Sequence, residues 1–280
     1  MKTILITARD PSTAFDLKSI INYLLVEKNI FLLIIAEEPA YSIIYENTDL
    51  KSNYYKSKVI LLKDFKLEDK KLKLKDNILS SKPNLILTGI SGPDYGVDEI
   101  CIQLSKELNL RNTFSLQSYW GDINTHFKEK PNNFFVIDKY AADITRERSP
   151  QSKIFITGNQ QSKNWIDHNW VESRKNFKDK FGLDENKKII TFFSQPLCRY
   201  SFYWDTIINF LCILSKEFKE YTLIVKAHPK DENTFESKIS QLCNSLNIDF
   251  IFLKEENILE LISASNLTVS LYSTACYTSQ

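Results

Sequence analysis

Short apolar, β-branched runs that stop abruptly at polar turns recur along this chain, and the stretches between them have helical spacing. The sharpest is Tyr221-Thr-Leu-Ile-Val-Lys226, which ends at Ala227-His228-Pro229. A run of this kind reads as a strand buried within an α/β sheet. In the first half the same reading applies to Lys2–Thr7, Ile30–Ala36, Lys58–Leu62, Asn84–Thr88, Thr113–Gln117, Phe134–Ile137 and Ile154–Thr157. In the second half it applies to Lys188–Phe193, Asp249–Leu253 and Leu267–Leu271. Helical patterns at about Thr13–Glu27, Val97–Leu108, Phe202–Phe218, Ser237–Asn247 and Asn257–Ala264 alternate with these strands. Such alternation predicts an α/β fold with parallel, doubly wound sheets.

At 280 residues the chain suits two domains. The expected division is a Rossmann-like domain over 1–160, a polar and aromatic-dotted helical connection over 161–187, and a second Rossmann-like domain over 188–280, with a cleft between the two. The second series stops where Ser273 would open a helix, so the C-terminal domain is expected to be incomplete.

Net charge is +1, which gives no global attraction to nucleic acid and leaves anion binding to local features. The stretch Lys51–Lys75 is lysine-rich; it reads as a solvated helix face, with peripheral membrane association as the alternative. Five scattered cysteines without a CxxC pair, behind an N-terminus too short for a signal h-region, point to reduced thiols and a cytoplasmic location.

In open parallel sheets, ligands sit beyond the carboxyl ends of the strands. That rule singles out the strand-end loops. In the second domain these are Ser194-Gln195-Pro196, Lys226-Ala227-His228-Pro229 and Ser270-Leu-Tyr-Ser273-Thr274. A histidine, lysines, an amide and hydroxyls at a helix N-terminus form a kit for holding a phosphate or diphosphate leaving group. In the first domain, Asp10 follows the first strand and the glycine-dense Gly89–Gly96 loop follows the fourth. Ser118-Tyr119-Trp120-Gly121-Asp122 follows the fifth. Asp98-Glu99 reads as the acidic first turn of a helix.

His228-Pro229 and Ser273-Thr274 resemble the His-Pro and Ser-Ser/Ser-Thr motifs of bacterial sialyltransferases and polysialyltransferases, within the wider class of GT-B-fold glycosyltransferases. Lys226-Ala-His-Pro229 is similar to a motif of capsule-polysaccharide and glycerophosphate transferases, and Phe193–Leu197 is similar to the segment that opens their donor domain. The resemblance implies a GT-B-like fold and transfer of a sugar from a nucleotide-activated donor to a glycan acceptor. Donor contacts would come from Ser194, Gln195, Lys226, His228, Pro229, Ser273 and Thr274, with His228 as phosphate ligand or leaving-group acid. The family's acidic motif is matched most nearly by Asp94-Tyr95-Gly96, which keeps one acid and the glycine with tyrosine between. Asp94 is the first candidate for the acceptor base and Asp122 the second, with Asp10, Tyr119 and Trp120 on the acceptor side.

His126 and His168 lack ligand-spaced partners and no Asp-x-Asp occurs, so the reading includes no protein-bound metal and no cofactor beyond the nucleotide-sugar. Two alternatives stand beside transfer. One is an isomerase of the non-hydrolysing UDP-N-acetylglucosamine 2-epimerase type. The other is a non-catalytic nucleotide or glycan binder.

Overall fold

The computed structural model describes residues 1–271 apart from 47, 64–65, 93–94, 161–164, 229–230 and 233. The chain divides into two compact units, Met1–Lys163 and Asn164–Gln280.

The first unit is a seven-stranded sheet in the order β3-β2-β1-β4-β5-β6-β7, with every pairing parallel. Its strands are β1 (Lys2–Ala8), β2 (Ile30–Ala36), β3 (Ser57–Leu61), β4 (Leu85–Thr88), β5 (Thr113–Leu116), β6 (Asn133–Val136) and β7 (Lys153–Ile156). Helices α1 (Pro11–Val26), α2 (Ala40–Glu46), α3 (Leu67–Ser81), α4 (Val97–Glu107) and α5 (Lys139–Arg148) join them. Alternate residues of β1 feed two cores. Ile6 and Ala8 pack with Leu17 and Ile21 of α1, whereas Leu5 packs with Leu74 of α3 and Ile100 of α4. The apolar runs are unbroken because both faces of the central strands are covered.

The second unit repeats the plan with four parallel strands in the order β10-β9-β8-β11. These are β8 (Lys188–Phe193), β9 (Tyr221–Lys226), β10 (Phe250–Leu253) and β11 (Leu267–Val269). Helices α7 (Ser201–Glu217) and α8 (Phe235–Ser245) cover one face through Tyr203, Ile207 and Ile239. On the other face lie α6 (Trp170–Lys180) and α9 (Ile258–Ala264), through Phe177 and Leu261. The expected connection over 161–187 therefore contributes a core helix to the second unit, because Phe177 is 1% exposed against Ile189 and Phe193.

Each sheet reverses its winding beside its first strand, between β1 and β4 and between β8 and β11. The two-sheet Rossmann-like α/β class expected from the sequence is the one observed. Two local expectations differ, the start of the first helix and the helix between the sixth and seventh strands. Helix α1 starts at Pro11 and not at Thr13; the fixed φ of proline suits the first helical position, with Asp10 as N-cap residue. Helix α5 was not separated from its flanking strands by periodicity, since its apolar content is low. Asp138 caps it by accepting from the Ala141 N–H at 2.7 Å. The lysine-rich α3 buries Leu74 and Ile78, and its Lys70 and Lys71 pair with Glu37 and Glu107, both at 2.7 Å. Among the described residues no helix is long and apolar enough to cross a membrane.

The first switch point is tightly built. A Cβ placed on Gly89 would meet Thr13 Cγ2 at 2.2 Å and its Oγ1 at 2.9 Å, so the strand-end backbone runs directly against α1. We predict that Gly89→Ala costs about 1–3 kcal/mol, the scale of overpacking. Part of that loss should return in a Thr13→Ala background, read from urea denaturation midpoints. Equal losses with and without Thr13→Ala would show that this contact is not the cause.

Candidate functional site

The carboxyl ends of β1, β4 and β5 surround a cavity of about 380 Å3 in the first unit. Asp10 and Ser12 line it from the β1 side, Gly92 from β4, and Tyr119, Asp122 and Asn124 from β5. A crevice beside a topological switch point is where a doubly wound sheet holds a ligand.

Beneath it lies a buried polar network anchored at the first turn of α4. Asp98 is wholly buried and Glu99 is 1% exposed. Asp98 accepts from Thr7 Oγ1 at 2.7 Å, from the Gly89 N–H at 3.0 Å and from the Ser91 hydroxyl. Glu99 accepts from the N–H groups of Ser91 at 3.0 Å and Gly96 at 3.1 Å, and from Asn124 Nδ2 at 3.0 Å. Asn124 also donates to the Ser91 carbonyl at 2.8 Å. Together these bonds fasten the strand ends and the described part of the Gly89–Gly96 loop. Burial raises both carboxyl pKa values, and the charge of Asp98 raises that of Glu99 further.

Asp122 is the acid of the cavity wall and is 6% exposed. Its Oδ2 accepts from the Ser118 N–H at 2.9 Å, and the Tyr119 hydroxyl is hydrogen-bonded to it. Burial pushes its carboxyl up from 3.8 to about 7, with Asp10 and Asp16 adding like charge. Gly121 precedes it at φ +70°, a left-handed position that makes the tight turn available. The turn is also tied by Asp16, which accepts from the Ser118 hydroxyl, and by Arg148, which donates to the Gly121 carbonyl at 2.9 Å. Tyr119 faces the cavity, whereas the Trp120 indole donates to Asp138 Oδ2 at 2.7 Å and packs edge-on to Tyr140. Asp10, Tyr119 and Asp122 are thus brought together, and Trp120 is turned elsewhere. Asp94, the first candidate for the base, lies outside the described residues.

The second unit carries a separate cavity of about 430 Å3 beyond β9 and β10, lined by His228, Asp231, Phe235 and Phe252 among others. Ser194 is 3% exposed; its hydroxyl donates to Asp231 and accepts from the His228 N–H at 2.7 Å. Asp231 Oδ2 accepts from the same His228 N–H at 2.7 Å, and the Asp231 N–H returns a bond to the His228 carbonyl at 2.9 Å. Ser194 and Asp231 therefore hold the histidine loop in shape. Sequence reasoning passed over Asp231. The usable signal was an aspartate three residues beyond the strand-end histidine, the residue type whose side chain closes such turns.

Two other residues assigned to the donor are engaged with their own backbone. The Lys226 ammonium donates to the carbonyls of Ala227 at 3.0 Å and Lys254 at 2.7 Å, stapling the ends of β9 and β10, and burial lowers its pKa. The Gln195 N–H donates to the Tyr203 hydroxyl at 2.8 Å and its side-chain amide to the Ser194 carbonyl at 3.0 Å. Pro229, Ser273 and Thr274 lie outside the described residues. Among the described residues, no group of three or more His, Cys, Asp or Glu is arranged to hold a metal ion.

The sequence matches no protein-family model and no curated protein. Solved structures do resemble it. The UDP-GlcNAc 2-epimerase of Neisseria meningitidis, bound to UDP-GlcNAc, is 15% identical with a TM-score of 0.65, over 96% of this chain and 77% of that one. That of Rickettsia bellii is 13% identical with a TM-score of 0.64, over 99% and 76%. The Methanocaldococcus jannaschii enzyme in complex with UDP-GlcNAc and UDP is 15% identical with a TM-score of 0.61, over 96% and 78%. At these identities the likeness establishes the GT-B-like class of fold and nothing finer.

The raised carboxyls make a stability prediction. A folded-state pKa above the unfolded value means that the native chain holds the proton more tightly. For Asp122 that contribution is complete below about pH 4 and is lost as pH rises through about 7, with Asp98 and Glu99 acting in the same direction. Asp122→Asn should therefore gain stability relative to wild type between pH 4.5 and pH 8, by up to about 4 kcal/mol. Parallel pH profiles of the denaturation midpoints would show that Asp122 does not titrate with folding.

Proposed function

We propose that this chain is a glycosyltransferase that uses a nucleotide-activated sugar, with Asp122 as the base that deprotonates the acceptor hydroxyl. One observation carries the reading: a buried carboxyl poised near neutrality forms the wall of a cavity at the switch point of the first sheet. A carboxylate with an ordinary pKa is a weak base at pH 7, and raising the pKa toward the working pH increases its power to take a proton. Tyr119 and Ser12, which line the same cavity, offer polar contacts to a sugar.

The second unit is assigned the donor. His228 borders the cavity there, and a loop locked by Ser194 and Asp231 suits an imidazole that must meet a developing phosphate charge. Two of the fold neighbours named above, those of Neisseria meningitidis and Methanocaldococcus jannaschii, hold UDP-GlcNAc or UDP, which supports a nucleotide-sugar as the donor class.

A second reading, epimerisation of a UDP-sugar, is favoured by Asp10 and Asp122 lining the same cavity, since acid and base could serve one substrate. Incubation with UDP-N-acetylglucosamine separates the two. Release of N-acetylmannosamine without any acceptor favours epimerisation, and acceptor-dependent loss of the donor favours transfer.

Titration calorimetry of the full chain with CMP, UDP and GDP should detect binding of at least one nucleotide. Binding of none would remove the donor assignment. For transfer itself, Asp122→Asn should lower kcat by about 10^2- to 10^4-fold with donor binding retained, the scale of a lost general base. The base works deprotonated, so wild-type kcat should climb as pH rises through about 7 and level off above it. His228→Ala should abolish transfer in a folded protein. Wild-type rates in both variants would overturn these roles.

A further inference from the structure

We propose that the cavity of the first unit takes a neutral or amine-bearing sugar and rejects one carrying a phosphate or carboxylate at the reacting end. The inference rests on reading that cavity as the acceptor site. The charges around it point one way. Asp10 and Asp122 line it, and Asp16 stands behind Asp122 and adds to the field there. The adjoining cations stand outside the lining, with their donors turned to acceptors on the protein. Arg9 Nε donates to Asp10 Oδ1 at 3.1 Å and its Nη2 to the Gly92 carbonyl at 3.3 Å. Lys130 donates to the carbonyls of Asn124 at 2.8 Å and of Phe127, and Arg148 donates to the Gly121 carbonyl at 2.9 Å. No described lining residue is a lysine or arginine, and the imidazole of His126 stands exposed at the rim.

An anionic group entering this space would meet two carboxylates and, among the described lining residues, no lysine or arginine, and shedding its water there is unfavourable. A sugar hydroxyl finds the opposite. Carboxylate oxygens accept its protons, and Ser12 and Thr125 can complete its hydrogen bonds. An ammonium on the sugar adds attraction to Asp10.

Ligand-observed NMR titrations of the full chain at pH 8 test the selectivity. The probes are N-acetylglucosamine (neutral), glucosamine (amine), N-acetylneuraminic acid (carboxylate) and glucose 6-phosphate (phosphate). The two anions should bind at least tenfold more weakly than the other two. Asp10→Asn, which removes a carboxylate and releases Arg9, should narrow that gap at least threefold while changing N-acetylglucosamine binding less. Raising the salt to 0.5 M should narrow it as well, by screening. Anions that bind wild type within threefold of N-acetylglucosamine, or a ranking unmoved by Asp10→Asn, would overturn the proposal with the transferase reading intact. Failure of all four probes to bind, in a chain that still binds a nucleotide, would instead remove the acceptor-site assignment and this proposal with it.

Discussion

The architecture of the first unit converges on one buried carboxyl. Asp98 sits with no exposure at the start of α4 and takes bonds from Thr7 at the end of β1 and from Gly89 and Ser91 just past β4. Those two strands are the neighbours between which the sheet reverses direction, so the connections that leave them pass to opposite faces of the sheet. A single aspartate satisfies both sides at once. Glu99 extends the same device to the β5 side through Asn124. The cavity above is therefore floored by hydrogen bonds that burial makes costly to break.

The second unit solves the equivalent problem with different chemistry. Its strand-end loop is held by Ser194 and Asp231, which close on the backbone of His228, and Lys226 ties the ends of β9 and β10 through their carbonyls. In both units, acidic side chains behind a strand-end loop act as acceptors for its N–H groups. The first unit keeps a further carboxyl, Asp122, free of such backbone duty on one oxygen and close to neutral pH. Under the proposed reading, that difference separates a carboxyl that supports a site from one that acts in it.

The fold was largely readable from the sequence because strands buried on both faces leave a compositional mark that survives without any alignment. Tyr221–Lys226 and Ile30–Ala36 were read with the bounds they have. Helix α5 was missed because a short helix with arginines, glutamate and aspartate on its outer side shows little periodic apolar signal. The site was less legible. Asp10, Tyr119 and Asp122 were picked out as strand-end residues and do share one cavity, since topology alone brings strand ends together. Trp120, their sequence neighbour, points to Asp138, because adjacent residues in a turn face different ways. Whether Lys226 meets a ligand or a carbonyl depends on the position of Lys254, twenty-eight residues away, and no local pattern encodes that.

Asp98 and Asp122 show why residue type and location were not enough to rank the acids. Both are aspartates buried at strand ends of the same sheet, and burial raises the pKa of each. They differ in the donors that surround them. Asp98 is met by two hydroxyls and a backbone N–H from three positions, so its oxygens are spent inside the protein. Asp122 is met by one backbone N–H and by Tyr119, a residue that itself lines the cavity. Under the proposed reading, an incoming hydroxyl completes the hydrogen bonding of Asp122, whereas Asp98 has nothing left to offer a substrate. Under that reading, the acid fitted to chemistry is the one that lines the cavity and meets fewer donors from the protein.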